Sequence, residues 1–304
     1  MRLAAWLLFI LLAGAAQAQP TPTESVTVTG ARSRQVLDRF VRGFAAPTRT
    51  TGKLARWDDG ICPVVVGLPA KFTSFIAARL KEIAAKAGAP VNSHDICKTN
   101  IEIIFTTVPQ KLLDNIRKRQ SEYLGYVDST AQLDALATVT HPIQAWYMTQ
   151  TKDLRGQAEV DSAKGAGMEI TIPDIYEPGR FMTMVMPNAH ARAVSGSRLG
   201  DGTRSAFFNV IVVANPNALV EYEIGSLADY IAMLALAQIP SLDACQQLPS
   251  IMGLLAKDCE RKAAALTDTD IAYLRGLYSM SLDRTLGIQQ SEMAFQMEKS
   301  LEGK

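Results

Sequence analysis

Neither sign of charge is in excess: the chain carries 31 Lys and Arg against 30 Asp and Glu. Without a basic cluster there is no electrostatic footprint for nucleic acid. No polybasic patch would hold the chain on an anionic membrane. Histidine is scarce. His94, His141 and His190 are the only ones, and none lies within five positions of another. His-Glu-x-x-His is therefore missing, and with it the standard zinc-peptidase signature. Gly-x-Ser-x-Gly, Ser-x-x-Lys, Gly-x-x-x-x-Gly-Lys and Gly-x-Gly-x-x-Gly are also missing, which removes the common serine nucleophiles and phosphate loops. No Cys-x-x-Cys pair exists to suggest zinc. No asparagine opens an Asn-x-Ser/Thr acceptor, which fits bacterial better than eukaryotic export. Past the N-terminal segment, the longest strongly apolar run is Tyr230 to Ala237, far below the ~20 residues of a spanning helix. These absences assign no catalytic residue, no metal ligand and no cofactor.

What is present begins at the N-terminus. Arg2 supplies a positive start, Leu3 to Ala13 an apolar stretch, and Ala16-Gln17-Ala18 a small-x-small cleavage site. That is the three-part pattern of a secretory signal peptide over residues 1–18, with Gln19 as the first mature residue. No cysteine sits at its end, so a lipid anchor is not expected. The product is read as soluble, exported, and periplasmic or secreted. In that compartment the four cysteines, Cys62, Cys97, Cys245 and Cys259, are expected to form two disulfides. Three pairings are possible.

Residues 19–53 read as a leader. It holds a possible strand at 25–29, an amphipathic helix capped by Ser33 with Val36, Phe40 and Phe44 on one face, and a polar linker at 45–53. A single α+β domain is expected over 54–304. Ile61–Gly67 reads as a strand and 71–87 as a helix burying Phe72, Phe75, Ile76, Leu80 and Ile83, with Gly88 as its stop. Asn100–Thr107 reads as a second strand, followed by a helix capped by Thr107 with Pro109 in its first turn. Such a strand-helix-strand-helix unit has parallel strands and a right-handed crossover. The crossover returns the chain to the end of the sheet where it started, which places Cys62 near Cys97. Cys245–Cys259 follows from proximity within a segment read as helical.

Further strands are expected at 143–149, 168–172, 181–186 and 206–214. The C-terminal part reads as helical. It holds a helix at 226–238 with a Ser226/Asp229 capping box, a second box at Thr267/Asp270 before a helix at 271–280, and a last helix carrying Met293, Met297 and Leu301. The fold class is thus a mixed sheet with an N-terminal strand-helix-strand-helix unit and a helical C-terminal part.

Candidate chemistry concentrates in the long polar loop 188–204, since loops of such length inside a domain are often functional. His190, Arg192, Ser195, Arg198 and Arg204 form a candidate ligand-binding set, because arginine forks bind carboxylate or phosphate bidentately. Its ordinary alternative is a solvated surface loop. Asp201, Glu221 or Glu223 could supply a carboxylate to His190. His94 and His141 read as turn residues. Trp57, Trp146 and Tyr147 either line a groove or pack in the sheet.

The segments Gly225-Ser-Leu-Ala-Asp-Tyr-Ile-Ala-Met-Leu-Ala-Leu236 and Leu266-Thr-Asp-Thr-Asp-Ile-Ala-Tyr-Leu-Arg-Gly-Leu-Tyr278 carry a resemblance. They resemble uncharacterised exported proteins of alphaproteobacteria. More remotely, the chain is similar to a domain family of unknown function marked by Leu-Thr-x-x-Asp followed by Leu-x-x-Leu-Tyr. That family resembles zincin-type metallopeptidases in the order of its elements. The resemblance implies a degenerate zincin-like scaffold, with Met280 near the place of a methionine turn. It carries over no catalytic residue, because the helix that would hold zinc has Asp229, Tyr230 and Met233 instead. Two functions follow. One is a non-catalytic, envelope-associated binding protein with an unidentified protein or small-molecule partner, which the absences favour. The other is a hydrolase of cell-envelope or peptide substrates working through the 188–204 loop.

Overall fold

The computed structural model describes residues 31–94, 96–161, 169–173, 181–185 and 201–302. The signal segment, the strand expected at 25–29, and His190, Arg192, Ser195 and Arg198 lie outside them. The architecture is α+β, as the periodicity predicts. Its main sheet contains β1 (Ala55–Arg56), β2 (Pro63–Val66), β3 (Ile101–Phe105), β4 (Ile143–Lys152), β5 (Ala158–Val160) and β8 (Arg204–Ala214). The order is β2-β3-β8-β4-β5, with β1 also on β8. β2, β3 and β1 run parallel to their neighbours, and β4 runs antiparallel to β8. A separate hairpin pairs β6 (Glu169–Pro173) with β7 (Phe181–Val185).

β8 is the spine because both of its faces are covered. Val210, Val212 and Ala214 point into one core and Ile211 and Val213 into another. Period-2 alternation with apolar residues at every position is what a strand buried on both faces requires. The first face carries α1 (Ala31–Phe44), α2 (Ala70–Ala87), α5 (Ile224–Leu236), α6 (Asp268–Ser279) and α7 (Leu286–Glu302). The second carries α3 (Pro109–Arg119), a 3-10 turn at Ser121–Leu124 and α4 (Thr130–Leu136). Phe40 and Phe44 of α1 meet Tyr273 of α6 at ring distances of 6.0 and 5.8 Å, so the helix of the expected leader packs into the main core.

Several local expectations change. α1 begins at Ala31, so Ser33 lies inside the helix. α2 buries Ile76, Leu80, Ile83, Ala84 and Ala87, while Phe75 is exposed; at about 100° per residue Phe75 falls well round from that stripe. Val108 precedes α3, and Thr106 Oγ1 rather than Thr107 accepts from the Val108 amide at 3.2 Å. α5 starts two residues before Ser226, with Glu223 as its N-cap and no side-chain cap. Ser226 donates instead to the Ala264 carbonyl at 2.5 Å. Asp229 accepts from Arg79 Nε at 2.7 Å and from the Leu266 amide at 2.8 Å. α5 is buried all round, so its polar side chains serve tertiary partners rather than its own first turn. The stretch between α5 and α6 is irregular, with one 3-10 turn at Ile251–Gly253, where a helical segment was expected. Pro240 and Pro249 both interrupt it.

The second capping box is present. Thr267 accepts from the Asp270 amide, and Asp270 returns to the Thr267 amide. Asp270 also binds Ser250 Oγ at 2.5 Å and the Ile251 amide at 2.9 Å, tying the irregular stretch to α6.

Both disulfides have the expected partners, Cys62–Cys97 and Cys245–Cys259, closing loops of 35 and 14 residues. On the chain-entropy argument the longer closure is worth about 4 kcal/mol and the shorter about 3 kcal/mol. Replacing Cys62 and Cys97 together by serine is therefore expected to cost more in urea unfolding than replacing Cys245 and Cys259. Equal or inverted losses would show that native contacts already hold the first loop.

Candidate functional site: a notch in the edge of the central strand

One edge of β8 is shared by two strands. β1 pairs with Ser205 and Ala206, and β3 pairs with Val210 to Ala214. Between them Phe207, Phe208 and Asn209 have no strand partner on that edge among the described residues. On the opposite edge the register to β4 shifts at the same place, where Met148 faces Asn209 but Thr149 faces Phe207. Phe208 is thus a bulge residue. The bulge turns Phe207 into the first core, 5.5 Å from the rings of Trp57 and Tyr147, while Phe208 packs toward the second. Bulges re-aim side chains in this way beside functional sites.

A cavity of about 340 Å³ fills the notch. Trp57, Phe207 and Phe208 line it as apolar wall, Tyr123, Gln150 and Asn209 as polar wall, and Lys98 and Asp59 also border it. Its rim is stiff. The Asn100 side chain accepts from the Cys62 amide at 2.7 Å and donates to the Gly60 carbonyl at 3.2 Å. Ile61 is bound on both sides, to the Pro90 carbonyl and the Asn92 amide. The Cys62–Cys97 disulfide stands just behind.

Bound to Asn209 of the lining is Glu102, in the middle of an apolar strand. Its Oε1 accepts from Asn209 Nδ2 at 3.1 Å. Its Oε2, the Asn209 Oδ1 and the Tyr123 hydroxyl are all buried with no hydrogen-bond partner. Thr50, Tyr230 and Gln238 also leave an oxygen unpaired; like Glu102 they are not in the cavity lining, and unlike it no hydrogen bond ties them to Asn209. Such orphans each cost about 1–3 kcal/mol, so two on residues lining one cavity, with a third on the Glu102 bound to Asn209, call for an explanation. Burial pushes the Glu102 carboxyl up to about 7, against a smaller downward pull from the Asn209 hydrogen bond. Burial also raises the Tyr123 phenol, and the Glu102 charge adds to that.

The other buried charges are matched. Lys53 binds Asp201, the Thr203 carbonyl at 2.6 Å and the Asp283 carbonyl at 3.3 Å. Lys152 spans Asp58 at 2.8 Å and Asp59 at 3.2 Å. A second cavity of about 560 Å³ lies beside Cys245–Cys259; Ser250 in its wall is already bound to Asp270. Among the described residues no group of three or more His, Cys, Asp or Glu comes together to hold a metal.

Of the loop set, Arg204 is described, and it is the first residue of β8 rather than part of a loop. Its Nε lies 3.6 Å from Asp58. Asp201, the carboxylate nearest in sequence to His190, is held by Lys53 and Thr203. Burial would raise it, but those hydrogen bonds outweigh burial and bring it down to about 2. Of the three aromatics, Trp57 reaches the cavity. Trp146 Nε1 donates to the Leu136 carbonyl, and the Tyr147 hydroxyl to the Leu234 carbonyl. His141 Nε2 lies 3.0 Å from Asp243 on the surface, outside both cavities. Glu102 and Asn209 were missed by motif spacing. Their signal was polarity inside strands whose two faces are covered. Comparison of the chain with models of protein families, with curated proteins and with solved structures gives no match.

The folded chain holds the Glu102 proton more tightly than the unfolded chain, whose carboxyl titrates near 4.5. This contribution to stability is therefore complete below 4.5 and lost as pH rises through about 7. Glu102→Gln is expected to match the wild type at pH 4 and to exceed it by up to about 3 kcal/mol at pH 8. Urea unfolding at both values checks this. A difference independent of pH would mean that Glu102 is not desolvated.

Proposed function

We propose that this chain is an exported, non-catalytic binding protein whose ligand occupies the notch between β1 and β3. The observation that carries the reading is a lined cavity at which Asn209 and Tyr123, each with an unpartnered buried polar atom, meet, with Glu102 hydrogen-bonded to Asn209. Buried polar atoms beside a lined cavity call for a partner, and in this reading a ligand or the water it orders supplies one. The cavity volume is at the small end of the range for small-molecule sites. Export is supported by the signal-peptide pattern and is compatible with the two disulfides. The zincin-like order implied by the resemblance supplies a scaffold in this reading, not a catalyst.

The competing hydrolase would work through His190. Its nearest carboxylate in sequence, Asp201, is engaged by Lys53, which weighs against that reading. Among the described residues no histidine, serine or cysteine lines the notch, which weighs against an acid–base centre there.

A thermal-shift screen of small polar metabolites against the mature protein tests the proposal. At a concentration of 100 times Kd a ligand adds about 2.7 kcal/mol, enough to raise Tm by several degrees. Gln150→Leu should abolish the shift, since Gln150 is buried, lines the cavity and has no hydrogen-bond partner among the described residues. A shift that survives both Gln150→Leu and Tyr123→Phe would place binding elsewhere. Hydrolysis of a peptide or envelope substrate that disappears in His190→Ala would favour the other reading.

A further inference from the structure

Part of the notch wall hangs from one covalent bond. Lys98 and Thr99 of the lining belong to the segment between α2 and β3. Ile96, Lys98 and Thr99 have no hydrogen bond or ion pair to any other described residue, and Ile96 is 95% exposed. The His94 amide donates to the Asn92 side chain two residues back, at 3.0 Å. Firm points lie at the two ends. The Asn92 amide donates to the Ile61 carbonyl at 3.2 Å, and the Asn100 amide to the Cys62 carbonyl at 3.2 Å. Between them, among the described residues, Cys97 alone is tied to the body, through its disulfide with Cys62.

The two cysteines are not equivalent. Cys62 is buried, and both its amide and its carbonyl are bound to Asn100, so it stays with the sheet. Cys97 is half-buried and sits on the segment that carries Lys98 and Thr99. The other disulfide is differently placed. Its loop is held independently, because Ser250 and Ile251 bind Asp270 and Arg261 Nη1 donates to the Gln247 carbonyl at 3.3 Å. Leu248, Met252 and Leu254 of that loop are buried as well. A segment opens locally where few buried contacts and few hydrogen bonds oppose it. That describes the chain around Cys97 and not the chain around Cys259.

We infer that Cys62–Cys97 is a redox latch on the notch. Oxidised, it holds the wall at Lys98 and Thr99 in place; reduced, it releases that wall and ligand binding with it. The inference rests on reading the notch as a ligand site. The reductant is a dithiol. Its thiolate attacks Cys97 Sγ, the S–S bond breaks, and Cys62 leaves as a thiolate that takes up a proton. The second thiol of the reductant then attacks the mixed disulfide. It expels Cys97 as a thiolate, which is protonated in turn, and the reductant departs as a disulfide. Two electrons pass from the dithiol to the cystine. A chain in a reducing compartment lacks the wall, and transfer to an oxidising one completes it.

In the mature Cys245→Ser/Cys259→Ser protein, Cys62–Cys97 is the one disulfide, and dithiothreitol serves as the dithiol. Reduction should speed tryptic cleavage after Lys98 about tenfold, since cleavage follows the population of the open segment. Acrylamide quenching of Trp57 should increase, read in a Trp146→Phe background where Trp57 is the one indole of the mature chain. Re-oxidation should reverse both changes. Cys62→Ser/Cys97→Ser should behave as the reduced protein without reductant, with its far-ultraviolet circular dichroism unchanged. A metabolite whose thermal shift Gln150→Leu abolishes should also lose that shift in Cys62→Ser/Cys97→Ser. Cleavage and quenching that ignore reduction, or loss of the whole fold, overturn the latch. A metabolite that keeps its shift in Cys62→Ser/Cys97→Ser overturns the latch and leaves the notch standing as a ligand site. A screen with no metabolite that responds to Gln150→Leu overturns the ligand site and the latch on its binding, whatever trypsin shows.

Discussion

The structure turns on one shared edge. β8 accepts two parallel partners on the same side, and they do not meet. β1 stops at Arg56, paired with Ala206, and β3 begins at Ile101, paired with Val210. The bulge at Phe208 absorbs the mismatch on the far edge. A continuous strand would have closed the sheet there with backbone hydrogen bonds. Instead the gap is walled by side chains, and the chain segments around it are held by Asn100, the Ile61 bridges and a disulfide. The stiffening surrounds the gap rather than filling it.

Elsewhere the chain satisfies its buried charges with care. Asp270 accepts from Ser250, Ile251 and Thr267, and Asp229 joins Arg79 of α2 to the Leu266 amide. Arg56 caps the end of α6 through the carbonyls of Leu277 and Met280. Against that background, Glu102 has a neighbouring amide and no counter-ion among the described residues. Its desolvation is a cost to folding that an apolar residue on β3 would avoid. Local violations of this kind gather at functional sites, which is the ground for proposing the notch as one.

Much of the fold was legible in the sequence because it rests on local patterns. The strand-helix-strand-helix unit follows from β-branched runs and a 3.6-residue period, and its crossover led to the Cys62–Cys97 pairing. The Thr267/Asp270 box is a local interaction and reads directly. The failures came where distant partners compete. Ser226 and Asp229 have the spacing of a cap, yet Ala264, Arg79 and Leu266 claim them. The irregular stretch around Cys245 and Cys259 carries apolar residues that pack without helical period. The site was illegible for a related reason. Attention to motifs led to the polar loop at 188–204, whereas the notch is assembled from β1, β3, β4, β8 and the turn at Tyr123. Glu102 and Asn209 share no spacing that marks them. Glu102 is the one polar residue of β3 and Asn209 the one polar residue within the run 206–214 of β8, and their partnership exists only through the pairing of β3 with β8.

The central claim is that Glu102 sits desolvated, with one carboxyl oxygen unpaired, behind the Asn209 that lines the notch. Carboxyl carbon NMR, with Glu102 assigned by comparison with Glu102→Gln, measures this directly. The account predicts a carboxyl that titrates at about 7 in the free protein. A Glu102 carboxyl titrating at its ordinary value near 4.5 would mean that solvent already satisfies it, and the notch would lose its claim to be a site.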